Sequence, residues 1–206
     1  MKLNKFVSYV SVLCIFIAMV FAYTLYRKAF TANTNFNERE IYIHIPTEAT
    51  YEQAQDSIKK YLKDYESLES LYDKLGEQGA VAPGRYLIKK NNNNYRIIKA
   101  LRSNVPVKLT FNNQETIEKL LLRISTQVET DVAELYKTCT EPDFMDEMGM
   151  TRESVLALCI PNTYEVYWTI TPEKFVERMK KEYEKFWNTD RTAKAAQIGL
   201  TPQEVS

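Results

Sequence analysis

The feature that most restricts how this chain can fold is an uncharged, apolar run near its beginning. The run covers residues 6–26 and is rich in valine, leucine, isoleucine, methionine and phenylalanine. Its length suits a single membrane-spanning helix, because the hydrocarbon core of a bilayer accommodates about 20 apolar residues. We therefore predict that residues 1–28 form a short cytoplasmic tail and a transmembrane anchor.

A cleaved signal peptide is the alternative interpretation of this segment. Lys2 and Lys5 would supply its charged amino-terminal region. However, the apolar run exceeds the roughly 7–15 residues usual for a signal peptide, and no small-x-small cleavage site follows directly behind it. An uncleaved anchor is therefore preferred. Lys2 and Lys5 on one side balance Arg27 and Lys28 on the other, so the charges alone do not set the orientation.

Composition excludes several classes of protein. The chain has 27 basic and 27 acidic side chains, so nothing indicates a nucleic-acid partner. Its single histidine, His44, leaves little material for a metal centre or a histidine-based triad, and we predict no metal and no cofactor. Cys139 and Cys159 could pair in an oxidising compartment, but two small buried residues are the preferred interpretation.

The apolar spacing predicts an α+β fold after the anchor. Residues 29–39 are expected to be a polar tether, and residues 40–111 a small α+β module. Within that module we predict strands at 40–45, 84–88 and 105–111 and helices at 51–63, 65–75 and 95–101. Residues 112–206 are expected to be mainly helical, with helices at 114–127, 131–138, 141–148 and 151–158.

The segment 160–168 concentrates aromatic and hydrogen-bonding side chains. A strand here would direct alternate residues to opposite faces, so that one face joins the core and the other is displayed. Rings beside amide and carboxylate groups suit a carbohydrate, although ordinary packing of tyrosine and tryptophan is the simpler interpretation. The candidate substrate-binding residues are Asn162, Tyr164, Glu165 and Tyr167.

The last six residues have the pattern of a helix start. Thr201 is a good N-cap, Pro202 suits the first helical position, and Glu204 completes a capping box. A single turn is not stable alone, since an isolated helix needs roughly 12 residues or more. We therefore expect the natural protein to continue beyond Ser206.

Several stretches resemble the endolytic murein transglycosylase (MltG, or YceG-like) family. The resemblance is closest at residues 158–168, 171–175 and 198–205. Upstream, residues 84–86, 97–101 and 106–111 are similar to the LysM-like module of that family, which usually follows a single membrane span. This resemblance implies a LysM-like module at 40–111 and an incomplete YceG-like catalytic domain at 112–206.

The resemblance implies a lyase that cuts peptidoglycan glycan strands internally and leaves 1,6-anhydro-N-acetylmuramic acid ends, terminating or trimming nascent strands. One glutamate acts as acid and then base, and the C6 hydroxyl of the sugar replaces the attacking water. In the family this glutamate lies further along the helix whose beginning resembles residues 201–206. We therefore expect no catalytic residue in this chain, which should be inactive alone, and we interpret Glu165 as lining the cleft or stabilising the fold.

The family resemblance also implies partners and a location. Peptidoglycan strands and the plasma membrane are the expected partners, with cell-wall synthases as further candidates, and the part after the single anchor should be extracytoplasmic. A non-catalytic, membrane-anchored protein that binds peptidoglycan or acts as a scaffold is the main alternative. A cytosolic pyridoxal-phosphate lyase is disfavoured by the apolar anchor and by the lack of a recognisable cofactor pattern.

Overall fold

The computed structural model describes residues 2–76, 81–147, 149 and 151–206. It has an α+β fold that divides into two compact units, Met1–Asn104 (unit 1) and Val105–Ser206 (unit 2). In chain order, unit 1 contains α1 (Lys2–Phe30), β1 (Glu40–Ile45), α2 (Tyr51–Lys59), α3 (Tyr65–Lys74), β2 (Gly84–Lys89) and α4 (Asn94–Leu101). Unit 2 contains β3 (Val107–Phe111), α5 (Ile117–Ser125), α6 (Val132–Thr140), α7 (Pro142–Glu147), α8 (Arg152–Leu158), β4 (Asn162–Val166), α9 (Pro172–Phe186), α10 (Thr189–Gln197) and α11 (Pro202–Val205).

Helix α1 contains the apolar run. Its segment Val7–Phe30 is long and apolar enough to cross a membrane, and a signal sequence near an N-terminus has the same properties. At 1.5 Å per residue, the 29 residues of α1 extend for about 43 Å. Side chains from Val7 to Thr24 are exposed, so this part of α1 buries almost none of its apolar surface against the other described residues.

The sheet of unit 1 consists of β1 and β2, which are antiparallel, with Glu40 opposite Lys89 and Ile45 opposite Gly84. Gly84 begins β2 because a side chain would not fit there: its φ is +153°, and a Cβ atom would lie 2.6 Å from the Asn104 side-chain amide nitrogen. The oxygen of the same amide, Asn104 Oδ1, accepts the Arg85 N–H at 3.0 Å. Under the sheet lies an apolar core whose members include Ile43, Ile45, Ala54, Ile58, Leu68, Tyr86, Ile88, Ile97, Ile98 and Leu101.

The predicted tether at 29–39 differs from the structure. Helix α1 continues to Phe30, and the next residues are fixed to unit 1 by isolated β-bridges of Ala32 with Asn93 and of Thr34 with Leu62. Asn33 and Thr34 are buried. The segment is ordered because its backbone and polar side chains pair with distant loops, which local composition does not reveal.

The sheet of unit 2 pairs β3 with β4 in antiparallel register, with Val107 opposite Val166 and Phe111 opposite Asn162. The predicted module at 40–111 grouped β3 with β1 and β2, and the structure instead places β3 in unit 2. The strand agrees with the prediction, but its pairing partner does not follow from local sequence, because β4 lies more than 50 residues downstream. Beneath this sheet is an apolar core that includes Leu109, Phe111, Leu120, Leu121, Ile124, Leu135, Cys139, Tyr164, Val166, Phe175, Val176 and Met179.

Candidate functional site

The outer face of the β3–β4 sheet carries the polar side chains predicted at residues 160–168. Along β4 the side chains alternate, so that Tyr164 and Val166 enter the core while Thr163 and Glu165 are exposed. This follows from the period of two in an extended strand. The same alternation along β3 buries Leu109 and exposes its neighbours on both sides.

Three of the four candidate residues are accessible, and one is not. Asn162 and Glu165 are exposed, and Tyr167 has a relative exposure of 57%. Tyr164 has a relative exposure of only 5%, and its hydroxyl donates a hydrogen bond to the Ile160 carbonyl. Tyr164 is therefore a core residue whose ring presents almost no surface to a ligand.

Burial also sets the chemistry of Tyr164. It raises the pKa of the phenol to about 12, with a further contribution from nearby Cys159. The group is therefore neutral at physiological pH and remains a donor to the Ile160 carbonyl. Its ring packs against Phe111, with centroids 5.5 Å apart. Tyr164 thus fixes the strand that displays the accessible candidates.

The exposed face combines hydrogen-bonding groups of several kinds. Lys108 lies directly opposite Glu165 in the register, and the Thr110 and Thr163 hydroxyl oxygens are 3.0 Å apart. On the outer edge of β3, the Gln127 amide accepts the Thr110 N–H at 2.9 Å and donates to the Thr110 carbonyl at 3.0 Å. The side chain of Gln127 thus replaces a third strand at this point and keeps the edge of the sheet satisfied.

A groove of about 230 Å³ lies within unit 2 at the end of the sheet where Phe111 faces Asn162. Its polar lining comes from the amides of Asn112, Asn113, Gln114 and Gln203 and from Ser206. Its apolar lining comes from Leu120, Leu156, Ala157 and Cys159. Neutral amides beside an apolar wall suit an uncharged, hydroxyl-rich ligand, because they donate and accept hydrogen bonds without requiring a counter-charge.

This groove was not predicted from the sequence. The signal that could have indicated it is the run of three amide side chains, Asn112 to Gln114, directly after a strand. Within this run, the Gln114 side-chain amide donates to Asn112 Oδ1 at 2.7 Å, which orders the loop. Only the tertiary structure brings α8 and the last turn beside it.

The capping box at the start of α11 is confirmed. Thr201 Oγ1 accepts the Glu204 N–H at 3.3 Å, and Glu204 Oε2 accepts the Thr201 N–H at 2.7 Å. The Thr201 N–H and the Thr201 hydroxyl both donate to Glu204 Oε2, and these two bonds hold the pKa of the Glu204 carboxyl below its usual value. The reciprocal bonds fix Gln203 and Ser206 on the turn that lines the groove.

The cysteine, histidine and acidic side chains outside this surface are of the types that bind metal ions. Among the described residues, no three His, Cys, Asp or Glu side chains are grouped so as to hold a metal ion. Cys139 and Cys159 are free, buried thiols of the unit 2 core, and burial raises the pKa of the Cys139 thiol to about 12. Both behave as small core residues at neutral pH.

Comparison with known proteins identifies the family. The model of the YceG-like family matches residues 43–206, most of the chain, and the chain therefore belongs to the YceG-like family. Among solved structures, a protein described as YceG-like from Listeria monocytogenes is similar, with a TM-score of 0.44 and 16% sequence identity. That match covers 81% of this chain and 61% of the Listeria protein, so the chain spans less than two thirds of its length. No curated protein matches the chain.

Proposed function

We propose that this protein is a membrane-anchored endolytic peptidoglycan transglycosylase, or the anchor-proximal part of one. The observation that carries the proposal is the YceG-like family match over residues 43–206. In this proposal α1 crosses the plasma membrane, and the rest of unit 1 and all of unit 2 are extracytoplasmic and contact glycan strands. The activity is cleavage of a glycosidic bond with formation of a 1,6-anhydro-N-acetylmuramic acid end.

Unit 2 would contribute a surface for the glycan, and its groove of neutral amides supports this. Each sugar offers hydroxyls for hydrogen bonds and C–H faces that stack on a ring such as the exposed Tyr167. Asn162 and the amides of Asn112 and Asn113 are of the type that binds such hydroxyls. Unit 1, with its proposed LysM-like module, would supply a second contact with the polymer.

The general acid is expected downstream of Ser206. The reaction needs a carboxylic acid that stays protonated near neutral pH, which proteins obtain by desolvation. Glu165 does not fit this role, because its side chain is exposed and faces Lys108 across the sheet. We therefore propose that Glu165 contributes to the surface that contacts substrate, without acting as the acid.

The decisive experiment compares two proteins on purified peptidoglycan: the 206-residue chain, and the product of the same gene read to its stop codon. We expect the second to release anhydro-muropeptides, detected by mass spectrometry, and the first to release none. Release by the 206-residue chain would show that an acid within it has been overlooked.

The Glu165→Gln substitution tests the assignment of that residue. In a protein that releases anhydro-muropeptides, we expect Glu165→Gln to retain substantial turnover, because the amide preserves hydrogen bonding and the acid lies elsewhere. Tyr164→Phe is a matched control that removes one hydroxyl from the same strand without touching the exposed face. Complete loss of turnover in Glu165→Gln alone would overturn the assignment.

A non-catalytic, peptidoglycan-binding scaffold is the second candidate function. It is favoured by the groove of unit 2, whose lining side chains are neutral and which requires no catalytic group to bind a glycan. Sedimentation of the chain with insoluble peptidoglycan tests binding, and the muropeptide assay tests cleavage. Binding by both proteins with cleavage by neither would support the scaffold.

A topology reporter fused after Ser206 should be active only outside the cytoplasm under either function.

A further inference from the structure

A charged groove lies in unit 1 where α1 leaves its apolar stretch. It has a volume of about 380 Å³. One wall is formed by α1, with Arg27 and Lys28, and the other by the connection between α2 and α3, with Lys63 and Asp64. Thr31, just after α1, adds a hydroxyl group to the lining.

The lining is strongly cationic. Three of the residues that line it are basic, Arg27, Lys28 and Lys63, and one is acidic, Asp64. The three basic side chains are exposed. Asp64 is already engaged as the N-cap of α3, where its Oδ1 accepts the Ser67 N–H at 3.0 Å. The groove therefore presents an excess of positive charge and an arginine, whose planar guanidinium suits two-point binding of a phosphate.

The position of the groove along α1 indicates which phosphate it meets, and this step rests on the proposed membrane anchoring. Twenty helical residues from Val7 to Tyr26 extend for about 30 Å, the thickness of the hydrocarbon core. Arg27 and Lys28 then lie at the level of the lipid headgroups. Tyr23, which also lines the groove, is of the residue type enriched at that interface.

A buried hydrogen-bond network holds the two walls together. Asn94 is 1% exposed, and its Nδ2 donates to the Lys28 carbonyl at 2.8 Å and to Ser67 Oγ at 2.6 Å. The Nδ2 of Asn33, also buried, donates to Asn94 Oδ1 and to the Asp64 carbonyl, both at 2.6 Å. The end of α1 is thereby joined to the start of α3, so Lys63 and the basic residues of α1 stay on one groove before any ligand binds. Such preorganisation lowers the entropic cost of binding.

We propose that this groove binds the headgroup phosphate of an anionic phospholipid in the leaflet that faces unit 1. Arg27, Lys28 and Lys63 supply the charge, and Thr31 supplies a hydrogen bond. Unit 1 is thus held against the membrane surface by a lipid as well as by its anchor.

The test uses the full 206-residue chain in vesicles of equal parts phosphatidylglycerol and phosphatidylcholine, extracted in mild detergent for native mass spectrometry. We expect the wild-type chain to retain phosphatidylglycerol in preference to phosphatidylcholine. Lys63→Gln should reduce that retention about fivefold, the usual effect of removing one basic residue near an anionic surface. Lys63→Arg should restore it, and Lys59→Gln, on α2 outside the groove, should leave it unchanged.

Two results would overturn the proposal. One is a lack of specific retention, seen either as equal retention of the two lipids by the wild-type chain or as retention that a folded Lys63→Gln variant, checked by circular dichroism, does not alter. The other is binding of inorganic phosphate to the chain in lipid-free detergent together with no retained phosphatidylglycerol, which would assign the groove to a free phosphate. The outcome does not depend on whether the protein cleaves glycan. The intact mass in the same spectrum shows whether α1 is still attached, and so tests the membrane anchoring separately from lipid binding.

Discussion

Unit 1 and unit 2 both pack a two-stranded antiparallel sheet against helices, but they bury different side chains. Among the described residues of unit 1, the buried polar side chains are those of Asn33, Thr34, Ser67 and Asn94. In unit 2 they are those of Thr130 and Ser154, beside a larger apolar cluster. Unit 1 therefore combines its apolar core with buried hydrogen bonds that reach α1, whereas unit 2 relies more on its larger apolar cluster.

The outer faces of the two sheets also differ, in how much of each face is covered by other side chains. In unit 1, the Arg85 guanidinium lies 3.6 Å from the centroid of the Tyr42 ring and covers part of the sheet. In unit 2, the face is open and carries Lys108, Thr110, Thr163 and Glu165. The comparison indicates that unit 1 is organised around its attachment to the anchor, whereas unit 2 offers a surface to a ligand.

The largest expected loss of stability comes from making a cavity in the apolar core of unit 2. Leu121→Ala should lower the free energy of unfolding by about 2–5 kcal/mol, because Leu121 is 0% exposed and its truncation leaves a void. Its neighbour Leu122 is 57% exposed, so Leu122→Ala is a matched control with a change of less than about 0.5 kcal/mol. Urea unfolding in detergent, followed by tryptophan fluorescence, measures this in unit 2, because both tryptophans of the sequence, Trp168 and Trp187, lie there. Equal effects of the two substitutions would contradict the described core.

The next largest loss of stability is expected from a substitution that disrupts the buried hydrogen-bond network of unit 1. Asn94→Ala should cost about 1–3 kcal/mol, since the Lys28 carbonyl and the Asn33 side chain each lose a buried partner. We expect faster hydrogen exchange at the amides of Asn33 and Lys63, with unit 2 unchanged. Asn92→Ala, two residues away, is the control. Equal loss of protection in both units would show that they unfold together.

Removing a helix N-cap should lower stability by the same amount in both units, because a cap acts only on the first turn of its own helix. Thr50 Oγ1 accepts the Gln53 N–H in unit 1, and Thr171 Oγ1 accepts the Lys174 N–H in unit 2. Thr50→Ala and Thr171→Ala should each lower stability by about 1 kcal/mol. Hydrogen exchange in α2 and α9 provides the measurement. A cost confined to one unit would mean that its cap is coupled to tertiary packing.

The smallest effect is a pH dependence confined to unit 1, which contains the only histidine of the sequence. Burial, followed by the charges of Arg85 and Lys60, lowers the pKa of His44 below its ordinary value of 6.5. The unfolded chain therefore takes up a proton first, and stability present above pH 6.5 is lost as the pH falls below it. The loss should be small because the side chain of His44 is only partly buried. His44→Gln should abolish it; an unchanged pH profile would show that other groups are responsible.

Local elements of both units were largely predictable. The alternation at Glu40–Ile45 and at Val107–Phe111 specified strands, and Thr50, Thr151 and Thr201 specified helix starts, because these patterns act over a few residues. The helix predicted to reach Lys63 ends at Lys59, since the next residues turn to form the bridge between Leu62 and Thr34. That tertiary pairing overrode local propensity.

The candidate site was predictable only in part. The sequence indicated that Thr163 and Glu165 would share one face of this strand and that Tyr164 and Val166 would share the other, without showing which face is the core. It could not show that Tyr164 is buried, because either face of a short alternating strand could be the inner one. Nor could it show the groove of unit 2, whose walls come from segments about 45 to 90 residues apart.

By itself, the sequence determined the apolar helix, the α+β composition, the capped helix starts and the membership of the YceG-like family, because these depend on residue type and short-range spacing. The tertiary structure decided that β3 pairs with β4 and that the segment after α1 is buried. It also decided that Asn33 and Asn94 join the end of α1 to α3. These arrangements depend on contacts between residues distant in sequence, where burial and hydrogen-bond satisfaction select one partner among several that local patterns allow.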